Sequence, residues 1–399
     1  MKTIFITILL ALSLPALGKP QPETKQFYLI SNQNLKLLSS KVNSKISEIT
    51  APSQKSYRLI ELTPKQLSQT SQVFHDELNI CGGFVDVTEE LKGSSAEALV
   101  KKEQNLVPPD FDKTIPTFDK AAALAITKFN KTRLTTFLQQ LTSFSDRSAY
   151  SQNGANAARW LGDYAQTLAQ AAKRSDVTVG YIEIGNPRYL QPNTLVRIPG
   201  ADSSLPATVI GAHMDTFDNN KPGADDDGSG VAAVMEIYTS LLQSGFKFQR
   251  DIYFAFYAAE ERGLVGSGVL VRNFVDRKIP VRGALQLDMI GYRNPDAPAD
   301  VYFIEDNVSP QMTQFLKLLA TKHLTTASVG STKCGYACSD HAQWYRAGIA
   351  SAFPFETYMQ GYNHTIHTSQ DNKADIDHAS HFVKLGIAYA IEAAEPVTR

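Results

Sequence analysis

The feature that most constrains the fold is a set of three apolar segments, each long enough for a buried strand and each followed at once by a side chain that can bind a metal ion. The segments and the residues that follow them are 207–212 with His213, 252–259 with Glu260 and Glu261, and 284–287 with Asp288. Helical patterns lie between and after them, at 228–244, 310–323 and 378–394. Strands that alternate with helices are typical of an α/β fold with a mostly parallel central sheet flanked by helices. Because such sheets bind ligands beyond the carboxyl ends of their strands, we expect these polar side chains to meet at one edge.

A bound cation would explain why so many acidic side chains gather there. One carboxylate after a strand is usually a helix cap or a solvated loop residue. With Asp215 added, the edge would hold four carboxylates and a histidine, and their repulsion is costly without a counter-charge. His213 and Asp215 are two residues apart at a strand end, so both can point the same way. The pair is typical of a metal-bound imidazole oriented by a carboxylate.

Two further motifs offer ligands. Three consecutive aspartates, 225–227, stand in a glycine-flanked loop before a predicted helix. Helix capping accounts for Asp227 but leaves the other two unexplained. A calcium-binding EF-hand loop is excluded, because Ser229 stands where the bidentate glutamate would be. Near the carboxyl end, His364 and His367 both offer an imidazole, and spacing alone does not choose between them.

Residues 1–18 have the pattern of a secretory signal, with Lys2, a mostly apolar run and small residues at the end. The alternative is an uncleaved membrane anchor, but the run is shorter than the roughly 20 residues that span a bilayer. An exported protein meets oxidising conditions. We therefore predict a local disulfide between Cys334 and Cys338, with Cys81 left as an odd thiol.

The segment 19–112 reads as a small α/β module ahead of the predicted catalytic domain, 113–399. Its strand candidates are 26–30, 57–62 and 84–87. A helix is predicted with Thr63 as N-cap and Pro64 at its first position. The polar, proline-terminated stretch 101–110 is suited to an exposed, cleavable linker. We predict a removable pro-segment, with a permanent accessory domain as the alternative.

Six ordered motifs carry a resemblance to a known family. They are AHMD at 212–215, PGADDD at 222–227, AAEERGL at 258–264, QLDM at 286–289, CGYACSDH at 334–341 and IHT at 366–368. From about Asp119 to the carboxyl end, the sequence resembles the secreted bacterial leucyl aminopeptidases that use two zinc ions. The segment before Asp112 resembles the pro-segments of that family only in general character.

The resemblance implies a role for each motif residue. Asp226 would bridge two Zn²⁺ ions, one completed by His213 and Asp288 and the other by Glu261 and His367; Glu260 would be the general base and Asp215 the partner of His213. Two zinc ions, three carboxylates and a bridging hydroxide sum to zero charge, with four ligands for each ion. Tyr336 would donate to the developing oxyanion, although packing on the disulfide explains a tyrosine there equally well. The positions that line the family's side-chain pocket are Met289, Ile304, Phe355, Tyr362 and Ile366. Their apolar character suggests leucine-like or aromatic N-terminal residues, and ordinary core packing is the alternative.

The implied protein is a secreted, monomeric zinc aminopeptidase, extracellular or periplasmic, that acts on peptides with a free N-terminus. A zinc-bridged water would attack the peptide bond, and a processing protease would remove the pro-segment. Thirty-nine basic and 40 acidic residues, with no basic run, argue against nucleic acid; no stable membrane association is expected. A carboxypeptidase or a glutaminyl cyclase on a related fold would use similar ligands, and a binding module of this fold is the non-enzymatic alternative. Every ligand position holds a competent residue, which favours an enzyme.

Overall fold

The structure is a computed structural model that describes residues 25–41, 47–48, 57–77, 80, 82–217 and 220–397. The predicted signal segment 1–18 and Cys81 lie outside these residues. The strands are β1 Gln26–Ser31, β2 Ser47–Glu48, β3 Tyr57–Leu62, β4 Phe84–Asp86, β5 Thr178–Ile182, β6 Asn193–Ile198, β7 Ala207–His213, β8 Ile252–Tyr257, β9 Val281–Gln286, β10 Val301–Ile304, β11 Val329–Thr332, β12 Ser351–Ala352 and β13 Pro354–Phe355. The helices are α1 Asn32–Lys41, α2 Pro64–Gln72, α3 Thr88–Leu91, α4 Ala96–Gln104, α5 Asp119–Ile126, α6 Lys131–Thr142, α7 Gln152–Ala171, α8 Gly228–Ser244, α9 Val265–Asp276, α10 Pro310–His323, α11 His341–Arg346 and α12 Ile376–Ala394.

The central sheet has six strands in the order β12-β9-β7-β8-β6-β5. Its first four strands are parallel to one another, and β6 and β5 continue the sheet antiparallel. The predicted mostly parallel α/β fold is therefore confirmed. The strands β7 and β8 are buried along their whole length, which explains why both read as continuous apolar runs.

Helices cover both faces of this sheet because alternate side chains of each strand point to opposite sides. Ile210 and Phe254 pack into a large core with α5, α6, α7, α8, α10 and α12. Val209 and Ala255 face a smaller core formed with α9 and α11. A separate sheet of three short strands, in the order β11-β10-β13, lies beside the carboxyl edge of the central sheet. Among the described residues, every helix is too short or too polar to span a bilayer.

The N-terminal segment forms its own antiparallel sheet, in the order β2-β3-β1-β4. Its helix α2 begins as predicted: the Thr63 side chain accepts from Gln66 N, and the Gln66 side chain accepts from Thr63 N. The segment is held to residues 113–397, the predicted catalytic unit, by an apolar cluster in which Val85, Leu99 and Val100 meet Leu264. The N-terminal segment is thus a folded unit docked on the catalytic unit.

The connection between the two units is shorter than the predicted linker. Residues 101–104 belong to α4, where Glu103 is buried and its Oε2 lies 2.8 Å from Arg346 Nε of α11. Phe111 is buried in the main core, and Asp112 pairs with Arg282 at 2.6 Å. Only residues 105–110 lie between the end of α4 and Phe111, and Val107 among them is 77% exposed.

Candidate metal centre

Three strand ends meet at the carboxyl edge of the sheet, as the sequence predicts. His213 ends β7, and its Nε2 lies 3.0 Å from Asp226 Oδ1 and 3.6 Å from Asp288 Oδ1. Asp288 follows β9, and Asp226 lies in the loop before α8. We call His213, Asp226 and Asp288 the first cluster. Its three ligand atoms lie within 4.8 Å of one another, and all three side chains are buried.

A second cluster shares Asp226 with the first. His367 Nε2 lies 2.8 Å from Asp226 Oδ2 and 3.4 Å from Glu261 Oε2. We call Asp226, Glu261 and His367 the second cluster. The two oxygens of one carboxylate therefore face two different histidines, which is the arrangement of a bridging ligand. His364 is exposed, so the structure brings His367, and not His364, to this position.

The three consecutive aspartates have three different tasks. Asp227 Oδ1 accepts from Gly230 N at the start of α8 and from Met289 N, while Oδ2 accepts from His213 N. Asp225 accepts from Gly291 N. These bonds tie the loop to the ends of β7 and β9 and leave Asp226 facing the histidines. Helix capping by Asp227 is thus one part of a larger backbone brace.

Two buried charged side chains that sequence reasoning missed hold the same loop. Asp371 accepts from Asp225 N at 2.9 Å and from Asp226 N at 3.1 Å. Arg147 is fully buried and donates to the carbonyl oxygens of Met214 and Gly223, at 2.9 and 2.8 Å. Neither residue belongs to a recognisable motif, because both contact backbone atoms far away in sequence.

Asp215 contacts both strand ends. His213 Nδ1 lies 3.1 Å from the Asp215 carbonyl oxygen and 3.6 Å from its Oδ1. The Asp215 carboxylate also accepts from Glu260 N at 3.0 Å and from Glu261 N at 3.3 Å. Asp215 therefore orients the histidine ring and fixes the turn that carries the two glutamates.

Backbone conformation is unusual around the site. Ala259, Met289 and His367 adopt positive φ angles of 53°, 52° and 58°. Such angles are uncommon outside glycine and concentrate at functional sites. At Ala259 the chain leaves β8 and turns so that the adjacent carboxylates of Glu260 and Glu261 enter the site.

The donor set fits a pair of divalent ions. Ligands about 2.0–2.1 Å from zinc at tetrahedral angles lie roughly 3.3 Å apart, close to the separations within both clusters. Burial lowers the pKa of His367, but the Glu261 carboxylate and the contact with Asp226 outweigh burial and raise this pKa to about 10. Burial raises the pKa of Asp226, but its contacts with His213 and His367 outweigh burial and hold this pKa below its usual range. The site thus attracts positive charge strongly, as zinc ligands of carboxylate and imidazole type do.

An apolar pocket opens beside the first cluster. Its lining residues are Asp288, Met289, Cys334, Tyr336, Cys338, Phe353, Phe355, Met359, Tyr362 and Ile366. Ile304 belongs to the apolar cluster around the pocket but has no exposed surface, so it packs behind the lining residues. The predicted disulfide between Cys334 and Cys338 is present. Tyr336 and Asp288 line the same pocket.

A residue of the N-terminal segment also reaches the site. His75 is buried, and its Nδ1 lies 3.1 Å from Glu261 Oε2. No sequence motif assigns site chemistry to this segment. His75 follows a correctly predicted helix, but no spacing rule links it to residues nearly 200 positions away in the chain.

The chain is similar to known proteins of one class. Residues 193–385, which include both clusters, match the model of peptidase family M28. Leucine aminopeptidase 1 of the fungus Grosmannia clavigera is 33% identical over 357 residues, covering 84% of this chain and 85% of that protein. The chain belongs to peptidase family M28, a family of peptide hydrolases.

Solved structures extend the likeness over the N-terminal segment. The LapA aminopeptidase of Legionella pneumophila superposes with a TM-score of 0.84 at 32% identity, covering 94% of this chain and all of that one. LapB of the same organism gives the same TM-score at 33% identity, over 93% of this chain. Glutaminyl cyclase of Porphyromonas gingivalis is similar at a TM-score of 0.54 and 19% identity, which shows the shared fold alone. The leucyl aminopeptidase resemblance is therefore confirmed, with fungal as well as bacterial relatives.

Proposed function

We propose that the chain is a secreted zinc aminopeptidase that removes leucine-like or aromatic residues from the free N-terminus of peptides. The observation that supports this most directly is the shared Asp226, whose two oxygens face His213 at 3.0 Å and His367 at 2.8 Å. A bridging carboxylate between two buried histidines is the ligand arrangement of a two-metal hydrolase. The family relatives named as leucine aminopeptidases support the same reaction.

Each ion would have three protein ligands: His213, Asp226 and Asp288 for one, and Glu261, Asp226 and His367 for the other. When bound, two zinc ions polarise the scissile carbonyl and make a water more acidic. We assign Glu260 as the base that takes the water proton and passes it to the leaving amine. Burial raises the pKa of the Glu260 carboxyl well above its usual range, which favours accepting and holding a proton.

Substrate selection would come from the apolar pocket. Its walls are apolar and would complement a leucine or phenylalanine side chain; they include Met289, Phe355, Tyr362 and Ile366. Ile304, with no exposed surface, would shape the pocket from behind. We assign Tyr336 to stabilise the oxyanion, because it lines the cavity that also contains Asp288.

We also propose export, guided by residues 1–18, followed by proteolytic release of the N-terminal segment. The exposed stretch 105–109 is the site at which a processing protease would cut, since both of its ends are anchored by buried residues. The mature enzyme would act as a monomer on soluble peptides.

The test combines metal content with three substrates, using chain cleaved within 105–109. Leucine p-nitroanilide should be hydrolysed, and its N-acetylated form should not. A peptide with a blocked N-terminus and a free carboxyl-terminal leucine should be left intact, and a glutaminyl peptide should not be cyclised. Hydrolysis of the N-blocked peptide would point to a carboxypeptidase, and cyclisation would point to a glutaminyl cyclase. No turnover of the free leucyl substrate at full zinc content would contradict the proposed activity.

A further inference from the structure

One potential metal ligand at the second cluster comes from outside the catalytic unit. His75 lies in the π-helical turn Val73–Glu77 that follows α2, and its side chain has no exposed surface. Its Nδ1 is 3.1 Å from Glu261 Oε2, and its ring centre is 4.0 Å from that of His367. Ligand atoms of these three residues lie within 4.8 Å of one another. His75 is therefore close enough to share a metal ion with two members of the second cluster, Glu261 and His367.

Packing holds the His75 ring in this orientation. The ring stacks on Phe217, with centres 4.1 Å apart and planes at 16°. The Arg262 guanidinium in turn lies 4.3 Å from the centre of the Phe217 ring. Among the described residues, neither nitrogen of His75 has a hydrogen-bond partner of normal geometry. A buried ring nitrogen without such a partner is costly, and a metal ion beside Glu261 would satisfy the Nδ1 that faces this carboxylate.

The catalytic unit supplies the second cluster with three ligands. A zinc site with three protein ligands keeps its fourth position for water or substrate, whereas a closed site has four protein ligands. We propose that, while the N-terminal segment is attached, His75 is the fourth protein ligand of the metal ion at the second cluster and closes the position a substrate would use. The proposal rests on the two-metal function proposed above and assigns a residue of the N-terminal segment to it.

The same segment covers the rest of the site. Ile80 packs against the apolar cluster that forms the pocket. A Cβ placed on Gly82 would lie 3.7 Å from Glu260 Oε1, within van der Waals contact. His75, Ile80 and Gly82 thus stand against the second cluster, the pocket and the proposed base. Ligation by His75 would therefore add metal-dependent affinity to a segment that already packs against the pocket and the proposed base.

Two substitutions separate ligation from packing. His75→Phe keeps an aromatic ring that can stack on Phe217 but removes both nitrogens, and His75→Ala removes the ring as well. The measurement is zinc release from the full chain, loaded with two ions per chain, to a chromogenic chelator in excess. We expect one of the two ions to leave at least roughly 10-fold faster from both variants than from the unsubstituted chain, the scale at which loss of even an outer ligand contact acts. The visible absorption of the cobalt-substituted chain should change in the same two variants.

Release of both ions from His75→Phe at the unsubstituted rate, with an unchanged cobalt spectrum, would overturn the proposal and leave His75 a packing role. The proposed activity is judged separately, with unsubstituted chain cleaved within 105–109. If the cleaved chain does not hydrolyse the leucyl substrate but His75→Phe releases zinc faster, the proposed activity is wrong and ligation by His75 is supported. If the cleaved chain hydrolyses the substrate but His75→Phe releases zinc at the unsubstituted rate, the activity is supported and ligation by His75 is wrong.

Discussion

Replacing Glu260 by glutamine separates proton transfer from metal binding more cleanly than any other single change at this site. Gln keeps the size and shape of the side chain but cannot accept a proton at neutral pH. Its backbone position is fixed independently, because Glu260 N donates to Asp215 Oδ1 at 3.0 Å. The metal ligands of both clusters stay in place, so two zinc ions should remain bound. We also expect an unchanged thermal midpoint, since Gln adds no charge to a fully buried position.

The expected loss of turnover follows from the role of a general base. Such groups contribute about 10²-fold to 10⁴-fold, which corresponds to about 3–5 kcal/mol of activation free energy. Turnover of leucine p-nitroanilide and zinc per chain are measured on the same preparations. KM should change little, because substrate contacts are kept.

Glu261→Gln is the matched control, since it makes the same chemical change one residue away. Glu261 Oε2 lies 3.4 Å from His367 Nε2 within the second cluster, so this variant should lose part or all of one zinc ion. Loss of zinc from Glu260→Gln with full occupancy in Glu261→Gln would show that the two roles are reversed. A Glu260→Gln enzyme with two ions and more than half of normal turnover would refute the assignment of the base.

Two further predictions concern stability. Burial lowers the pKa of His378 to about 4, and its Nε2 donates to the Glu356 carbonyl oxygen. This pKa lies below that of an unfolded histidine, so the unfolded chain binds the proton first as pH drops. The free energy of unfolding should therefore fall by about 3 kcal/mol between about pH 6.5 and about pH 4. Urea titrations across this range should show that His378→Gln, which keeps a donor at the same place, lacks this part of the fall; an identical pH profile in the variant would contradict it. Glu103→Ala removes a buried ion-pair partner of Arg346, but Arg346 keeps a contact to Glu90 at 3.2 Å. We therefore expect the free energy of unfolding to fall by about 3 kcal/mol, the lower limit for breaking a buried ion pair. The exposed Glu97→Ala in the same helix is the control, and equal urea midpoints for the two variants would contradict the prediction.

The strand ends were predictable from the sequence for a simple physical reason. The buried parts of β7, β8 and β9 are mostly apolar, so the first residue after each apolar run that can bind a metal marks the carboxyl edge of the sheet. His213 and Asp288 could therefore be placed without any structure. The choice of His367 over His364 could not, because it depends on a loop conformation in which His367 takes a φ of 58° and His364 stays exposed.

The contacts of the N-terminal segment were harder to predict. Residues 101–104 looked like a polar linker, but Ser95 caps the helix through Ala98 N, and Leu99 and Val100 are buried against the catalytic unit. His75 reaches Glu261 only because two separately folded units dock, and docking leaves no periodic signal within either one. Sequence patterns report local structure and burial, and they do not report which surface one unit presents to another.

Zinc counted per chain in Asp226→Ala tests most directly whether Asp226 would serve as a ligand for two metal ions. The measurement is elemental analysis of gel-filtered protein, with Asp288→Ala as the matched variant because Asp288 belongs to the first cluster alone. We expect two ions in the unsubstituted chain, about one in Asp288→Ala and almost none in Asp226→Ala, since both clusters lose a ligand there. Two ions retained in Asp226→Ala would contradict a shared role for this carboxylate.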